Sequence, residues 1–164
     1  MTANGRLLAA PVTGSSAGPT PASPRPLRAG YMDFAALESA PYWARKFTRR
    51  FLGCCRDIAT ETAETAELLV SELVTNAYQA TGVPPGAPYS ERAAAPVIRL
   101  SLRRFRAVLL IEVIDSSPLI PRMTDSGTDG ENGRGLLIAD ALSAEWGSFP
   151  VPPNGKCVYC ILRV

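Results

Sequence analysis

Residues 67–82 read ELLVSELVTNAYQATG, and this stretch decides how the chain is expected to fold. Its apolar residues recur every three or four positions, the spacing that places side chains on one face of an α-helix. Gly82 and the prolines that follow it end the pattern. We therefore predict an amphipathic helix over residues 62–81 that packs on a β-sheet. Its apolar stripe consists of Ala66, Leu69, Leu73, Ala77 and Ala80.

Three polar residues share one side of this helix. Glu72, Asn76 and Gln79 stack on that side because four and three positions separate them. At about 100° per residue, they lie at the margin of the apolar stripe rather than opposite it. A carboxylate and an amide there can face a pocket between helix and sheet, where an amide oxygen suits Mg²⁺ and a carboxylate can accept a proton. The alternative is an ordinary polar flank.

The rest of the chain predicts a sheet with helices on one face. Apolar and polar residues alternate in segments separated by turns, as in antiparallel strands. The predicted strands span residues 31–34, 97–104, 108–115, 145–149 and 156–164. Further helices are predicted from Pro41 to near Gly53 and over residues 135–145, with loops at residues 82–96 and 120–132. We expect an α+β two-layer sandwich with a mixed, mostly antiparallel sheet and about three helices.

The composition limits how the chain can be organised into domains and which classes of partner it can bind. The first 30 residues are rich in Ala, Pro, Gly, Ser and Thr, so we predict a disordered leader followed by one domain, residues 31–164. The net charge of +2 is too balanced to favour direct binding to nucleic acid. No apolar run approaches the roughly 20 residues that cross a bilayer. We expect a cytoplasmic protein without a membrane partner.

The four cysteines fall into two pairs, which invites a metal or redox interpretation. Cys54 adjoins Cys55, and Cys157 precedes Cys160 by three positions. In a strand, that odd separation directs the second pair to opposite faces. The chain also has no histidine. We predict buried, unreactive thiols rather than a zinc site.

An aspartate ends the predicted strand over residues 108–115. Asp115 points to the same side as Ile111 and Val113 because successive strand residues alternate. A carboxylate at the end of an apolar face needs a hydrogen-bond donor, and a purine amino group is a suitable one. The alternative is that Asp115 only starts the turn formed with Ser117 and its neighbours.

A glycine-flanked turn precedes the last predicted helix. Gly133 and Gly135 enclose Arg134, and Leu136 follows. Backbone N–H groups at a helix start, uncovered by side chains, can bind phosphate with the positive end of the helix dipole behind them. Such turns are common, so this one does not identify a site by itself.

Four segments, taken in order, resemble the motifs of the Bergerat-fold ATPases, the superfamily of histidine kinase, gyrase and Hsp90 ATP-binding domains. Residues 67–82 resemble the N box, and EVIDSSP at residues 112–118 resembles the G1 box. NGRGLLIADALSAEWG at residues 132–147 resembles the G2 box, and NGKCVYCIL at residues 154–162 the closing strand. The chain is most similar to the single-domain anti-sigma factor serine kinases.

The resemblance implies the Bergerat ATP-binding fold, with ATP and Mg²⁺ as ligands. Asn76 would hold Mg²⁺, Glu72 would orient or deprotonate the attacking hydroxyl, and Asp115 would accept a hydrogen bond from the adenine amino group. The turn at residues 133–135 would form the hinge of the loop over the phosphates. The further nucleotide-binding positions implied are Gln79, Ser117, Gly133, Arg134, Gly135, Leu136 and Cys157.

Three of these positions depart from the family pattern. Ser117 stands where the G1 box usually has glycine, and Gln79 stands where many relatives have histidine. Cys157 displaces or replaces a small hydroxyl residue after the closing glycine. These departures imply weaker nucleotide binding, whereas Glu72 and Asn76 are retained.

The resemblance implies an ATP-dependent regulator of transcription that phosphorylates a serine of an antagonist protein. Its partners would be a sigma factor, an anti-anti-sigma antagonist, or both. One alternative is a nucleotide-gated module that sequesters a partner without phosphorylating it, and another is an interaction protein whose ATP site has decayed. Retention of Glu72 and Asn76 favours the kinase. The identity of the partner and the formation of a homodimer are left open.

Overall fold

The computed structural model describes residues 25–119 and 134–164. Within them, five strands form a single sheet in the order β1-β2-β3-β5-β4, and each neighbouring pair is antiparallel. The strands are β1 (Arg28–Ala35), β2 (Val97–Arg104), β3 (Val108–Asp115), β4 (Glu145–Val151) and β5 (Gly155–Arg163). The helices are α1 (Ala40–Leu52), α2 (Thr60–Thr81), α3 (Tyr89–Ala93) and α4 (Arg134–Leu142).

The core lies between the sheet and its helices. Helices α1 and α2 pack on each other and on the sheet, and α4 packs on α2. Alternate residues of β2 and β3 are fully buried under them, including Ile98, Leu100, Leu109 and Ile111. Each such side chain contributes about 1.5–3 kcal/mol through burial. The predicted α+β class is thus present, compatible with two layers. The described sheet is antiparallel throughout rather than mixed.

Helix α2 buries the predicted stripe, with one exception. Ala66, Leu69, Leu73 and Ala77 are buried, but Ala80 is exposed near the end of the helix. The buried face also includes Val70 and Val74, which were not predicted, because α1 packs on that side of the helix.

Several predicted boundaries are wrong because pairing within the sheet decides them. Strand β1 begins at Arg28, inside the predicted leader, since Arg28 pairs with Arg104 of β2. Helix α4 ends at Leu142 because the N–H of Ala144 donates to the carbonyl of Ile161 and turns the chain into β4. Helix α3 occupies part of a segment predicted as loop. The predicted leader up to residue 24 and the predicted loop over residues 120–132 lie outside the described residues.

No helix in the described part of the chain combines the length and the apolar character that crossing a membrane requires.

Candidate functional site

Asp115 is a buried carboxylate with one oxygen free. Its side chain is 1% exposed at the end of β3. Its Oδ1 accepts hydrogen bonds from the backbone N–H of Ser117, at 2.8 Å, and from Nζ of Lys156, at 2.9 Å. Its Oδ2 has no hydrogen-bond partner among the described residues. A buried acceptor without a donor is costly, so Oδ2 is a place where a ligand donor would be stabilised.

The hydrogen bond from the N–H of Ser117 to Asp115 forms a turn. Starting this turn was the alternative role predicted for Asp115. The carboxylate accepts from the N–H two residues later, as aspartates commonly do at turns. Ser117 is itself buried, and its Oγ accepts from the N–H of Leu119 at 3.3 Å. The turn uses only Oδ1, so it leaves the acceptor function of Oδ2 intact.

Lys156 belongs to the segment that resembles the closing strand, but the sequence predicted no role for it. It lies directly opposite Asp115 in the β3–β5 register, so both side chains project from the same face of the sheet. Its side chain is 6% exposed. Glycine at position 155 allows β5 to begin this close to Asp115, because a Cβ atom there would lie 2.5 Å from the carbonyl oxygen of Asp115. The sequence did contain one signal for a role of Lys156: it is a charged residue at the first core-facing position of an otherwise apolar strand.

Helix α4 begins in direct contact with the polar edge of α2. A Cβ atom placed on Gly135 would lie 2.8 Å from Nδ2 of Asn76 and 3.1 Å from Oε2 of Glu72. The backbone at the start of α4 therefore approaches the amide and the carboxylate more closely than another residue type at position 135 would allow. Glu72 and Asn76 are both half-buried. The structure thus brings together three residues that the sequence analysis placed in one site.

Helix α2 and strand β5 both lead away from a shared cleft. The start of α2, at Thr62, lines a cleft with Leu162 of β5, and β5 runs from there back to Lys156 beside Asp115. From Thr62 to Asn76 the helix advances about 21 Å at 1.5 Å per residue. From Leu162 to Lys156 the strand covers about 20 Å. Asn76 and Lys156 therefore each lie about 20 Å from this cleft, measured along their own elements.

The cleft itself belongs to the opposite end of the molecule. It encloses about 340 Å³ between the start of α2, the end of α4 and the end of β5. Its lining residues are Glu61, Thr62, Thr65, Leu142, Ser143, Ala144, Leu162 and Arg163. None of the predicted site residues lines it.

The other predicted nucleotide-binding positions are dispersed. Leu136 is buried behind the start of α4, whereas Gln79 is exposed on α2. Arg134 is the first residue of α4. Gly133 lies outside the described residues.

Cys157 is separated from Asp115 by the sheet. It pairs with Ile114, so its side chain projects from the face opposite to that of Asp115. Cys160 pairs with Ile111 on the helix-covered face, which confirms that the two thiols lie on opposite sides. Burial raises the pKa of each thiol from the usual 9.0 to about 12. Both therefore remain protonated near neutral pH and are poor nucleophiles.

Two places in the described part of the chain suit a nucleotide bound together with a magnesium ion. The free Oδ2 of Asp115 matches an amino donor, and Gly135 has no side chain that would displace the neighbouring amide of Asn76. One amide oxygen is a partial ligand set for Mg²⁺, which commonly completes its coordination with phosphate oxygens and water. The predicted ligand roles are therefore chemically consistent with these positions.

No description of a known protein family matches the chain, and no curated protein matches it either.

Proposed function

We propose that the chain is a Bergerat-fold ATP-binding protein of the anti-sigma type, acting as a serine kinase on an antagonist protein and thereby regulating transcription. One observation carries the proposal: a buried aspartate with a free oxygen ends a core strand, on a sheet covered by a helix that presents Glu72 and Asn76 to the start of α4. This is the arrangement that a purine at one end and phosphates at the other would require.

Asp115 supports base recognition. Its Oδ1 is already held by Ser117 and Lys156, so the carboxylate has a fixed orientation before a ligand arrives. Oδ2 would accept a hydrogen bond from the adenine amino group. A hydrogen bond to a charged acceptor contributes about 1.5–3 kcal/mol, so this single contact would account for much of the preference for an amino-bearing base.

The start of α4 supports phosphate binding. A helix N-terminus carries free N–H groups and a partial positive charge, both of which favour phosphate oxygens. The glycine at position 135 lets the start of α4 approach Asn76 closely, and the amide oxygen of Asn76 would contribute one ligand to Mg²⁺. The metal would neutralise charge on the phosphates when bound.

Glu72 supports phosphoryl transfer rather than binding alone. Its carboxylate lies one helical turn from Asn76, beside the same backbone segment of α4. It would orient the serine hydroxyl of the antagonist and accept its proton while the γ-phosphoryl group passes to that oxygen and ADP leaves. A protein that only binds nucleotide has no chemical need for this base.

Binding and transfer of labelled ATP test the proposal. The purified full chain is incubated with Mg²⁺ and γ-labelled ATP, with and without candidate antagonist proteins. We expect saturable ATP binding and transfer of label to a serine of the antagonist. Glu72→Gln should retain binding and lose at least about a hundredfold in transfer, the range expected for removal of a general base.

Variants of two aspartates control for specificity. Asp115→Asn should lose ATP binding, whereas Asp33→Asn, at an exposed ion pair on the same sheet, should retain it. Circular dichroism checks that each variant is folded. Saturable binding without transfer to any antagonist would favour the nucleotide-gated module, and absence of ATP binding by the native chain would refute the proposal.

A further inference from the structure

The ammonium group of Lys156 has hydrogen-bonding capacity beyond its ion pair. A lysine ammonium has three N–H donors, and within the described residues Nζ of Lys156 donates to Oδ1 of Asp115. The side chain as a whole is only 6% exposed. The buried pair thus holds two hydrogen-bonding groups side by side: Oδ2 of Asp115, which has no partner among the described residues, and the ammonium of Lys156, whose one hydrogen bond there is to Oδ1.

An ion pair formed only for stability would not require this arrangement. Oδ1 already accepts the N–H of Ser117, so the turn is satisfied without the lysine. Buried ion pairs are weak sources of stability, because desolvating both charges offsets most of their attraction. Apolar side chains of similar volume at both positions would avoid the two desolvation costs. The charged donor is better explained by a ligand that uses both free functions.

We propose that Lys156 is a base-recognition residue, which donates a hydrogen bond to a ring nitrogen of adenine while Oδ2 of Asp115 accepts from the amino group. This inference rests on the proposed function. Adenine presents an amino donor flanked by acceptor nitrogens, N1 on one side and N7 on the other. A donor and an acceptor held next to each other therefore match either of these two edges.

Ring-nitrogen analogues test the proposal on the native chain. Calorimetric titration with Mg²⁺ compares ATP with 1-deaza-ATP and 7-deaza-ATP, each of which replaces one acceptor nitrogen by carbon. We expect one of the two analogues to bind at least about tenfold more weakly than ATP, the loss typical of one hydrogen bond to a charged group. Equal affinity for all three nucleotides would overturn the proposal.

Two lysine variants attribute the preference to position 156. Lys156→Met keeps the length of the side chain and removes its donors, so it should bind ATP and the weaker analogue with equal affinity. Lys46, the other lysine of the chain, lies exposed on α1, and Lys46→Met should retain the native preference. A native preference that persists in Lys156→Met would overturn the assignment to this residue.

The outcomes separate this inference from the function on which it rests. If native ATP binding is lost in Asp115→Asn but neither analogue differs from ATP, the ATP site stands and the role of Lys156 is wrong. If the native chain binds no nucleotide, both are wrong. The analogue comparison needs only the native protein, so it decides the question even if Lys156→Met does not fold.

Discussion

Gly135 and Asn76 lie so close together that a methyl group at position 135 would come within 2.8 Å of the amide nitrogen. The contact joins the first turn of α4 to the polar edge of α2. Because the amide is the end of a flexible side chain, it can move away at little cost. A side chain at position 135 would therefore displace Asn76 rather than unfold the protein.

Gly135→Ala should separate stability from nucleotide binding. Alanine favours a helix over glycine by up to about 1 kcal/mol, so we expect the free energy of unfolding to stay within about 1 kcal/mol of the native value. We expect Mg²⁺-dependent ATP affinity to fall at least about tenfold, since the displaced amide would lose its contact with the metal. Urea denaturation and calorimetric titration measure the two quantities.

A helix-propensity change elsewhere in α4 is the control for Gly135→Ala. Ala141→Gly alters an exposed residue of the same helix and should lower stability by up to about 1 kcal/mol without changing ATP affinity. Unchanged Mg²⁺-dependent affinity in Gly135→Ala would mean that Asn76 does not contribute to the nucleotide site.

Asp115→Asn should destabilise the protein by about 3–5 kcal/mol, because it leaves the ammonium of Lys156 buried without a counter-charge. The double variant Asp115→Asn with Lys156→Met removes both charges and should recover most of that loss. Urea denaturation of both variants and of Lys156→Met alone measures the coupling between the two residues. A loss below about 1 kcal/mol in Asp115→Asn would show that water or other groups solvate the lysine.

The helices and strands predicted most accurately are those in which buried residues recur at a regular spacing. The predicted bounds of β2 and β3 agree with the structure, and α2 differs from its prediction only at its start, where it begins at Thr60. In these segments each buried position repeats at the period of a strand or a helix, so the local pattern contains the necessary information. Helix α3 has five residues, too few for such a pattern to develop.

The part of the site that the sequence missed depends on pairing across distant segments. Lys156 and Asp115 are 41 residues apart, and only the register of β5 against β3 places them opposite each other. The same register places Cys157 on the far face. A one-residue shift would exchange the two, so neither position could be assigned before the register was known.

The thiols should differ sharply in reactivity in the native protein. The predicted burial is confirmed for Cys157 and Cys160 but is wrong for Cys54, which is exposed. We expect Ellman's reagent at pH 8 to react rapidly with Cys54 and to reach the two buried thiols only after addition of denaturant. Cys54→Ser should abolish the fast phase. Rapid modification of more than two thiols in the native state would contradict the burial of β5.

The stability of the protein should fall as the pH rises above 9. Burial raises the pKa of Cys157 and Cys160 to about 12 in the folded state, so above the ordinary thiol value of 9.0 only the unfolded chain loses these protons. The unfolded state then binds fewer protons than the native state, and each thiol lowers the free energy of unfolding by up to about 1.4 kcal/mol per pH unit between those values. Urea denaturation at pH 8 and pH 10 measures the slope in the native chain and in Cys157→Ala with Cys160→Ala. The double variant should lose less stability over this interval, and equal slopes would show that the two thiols ionise in the folded protein.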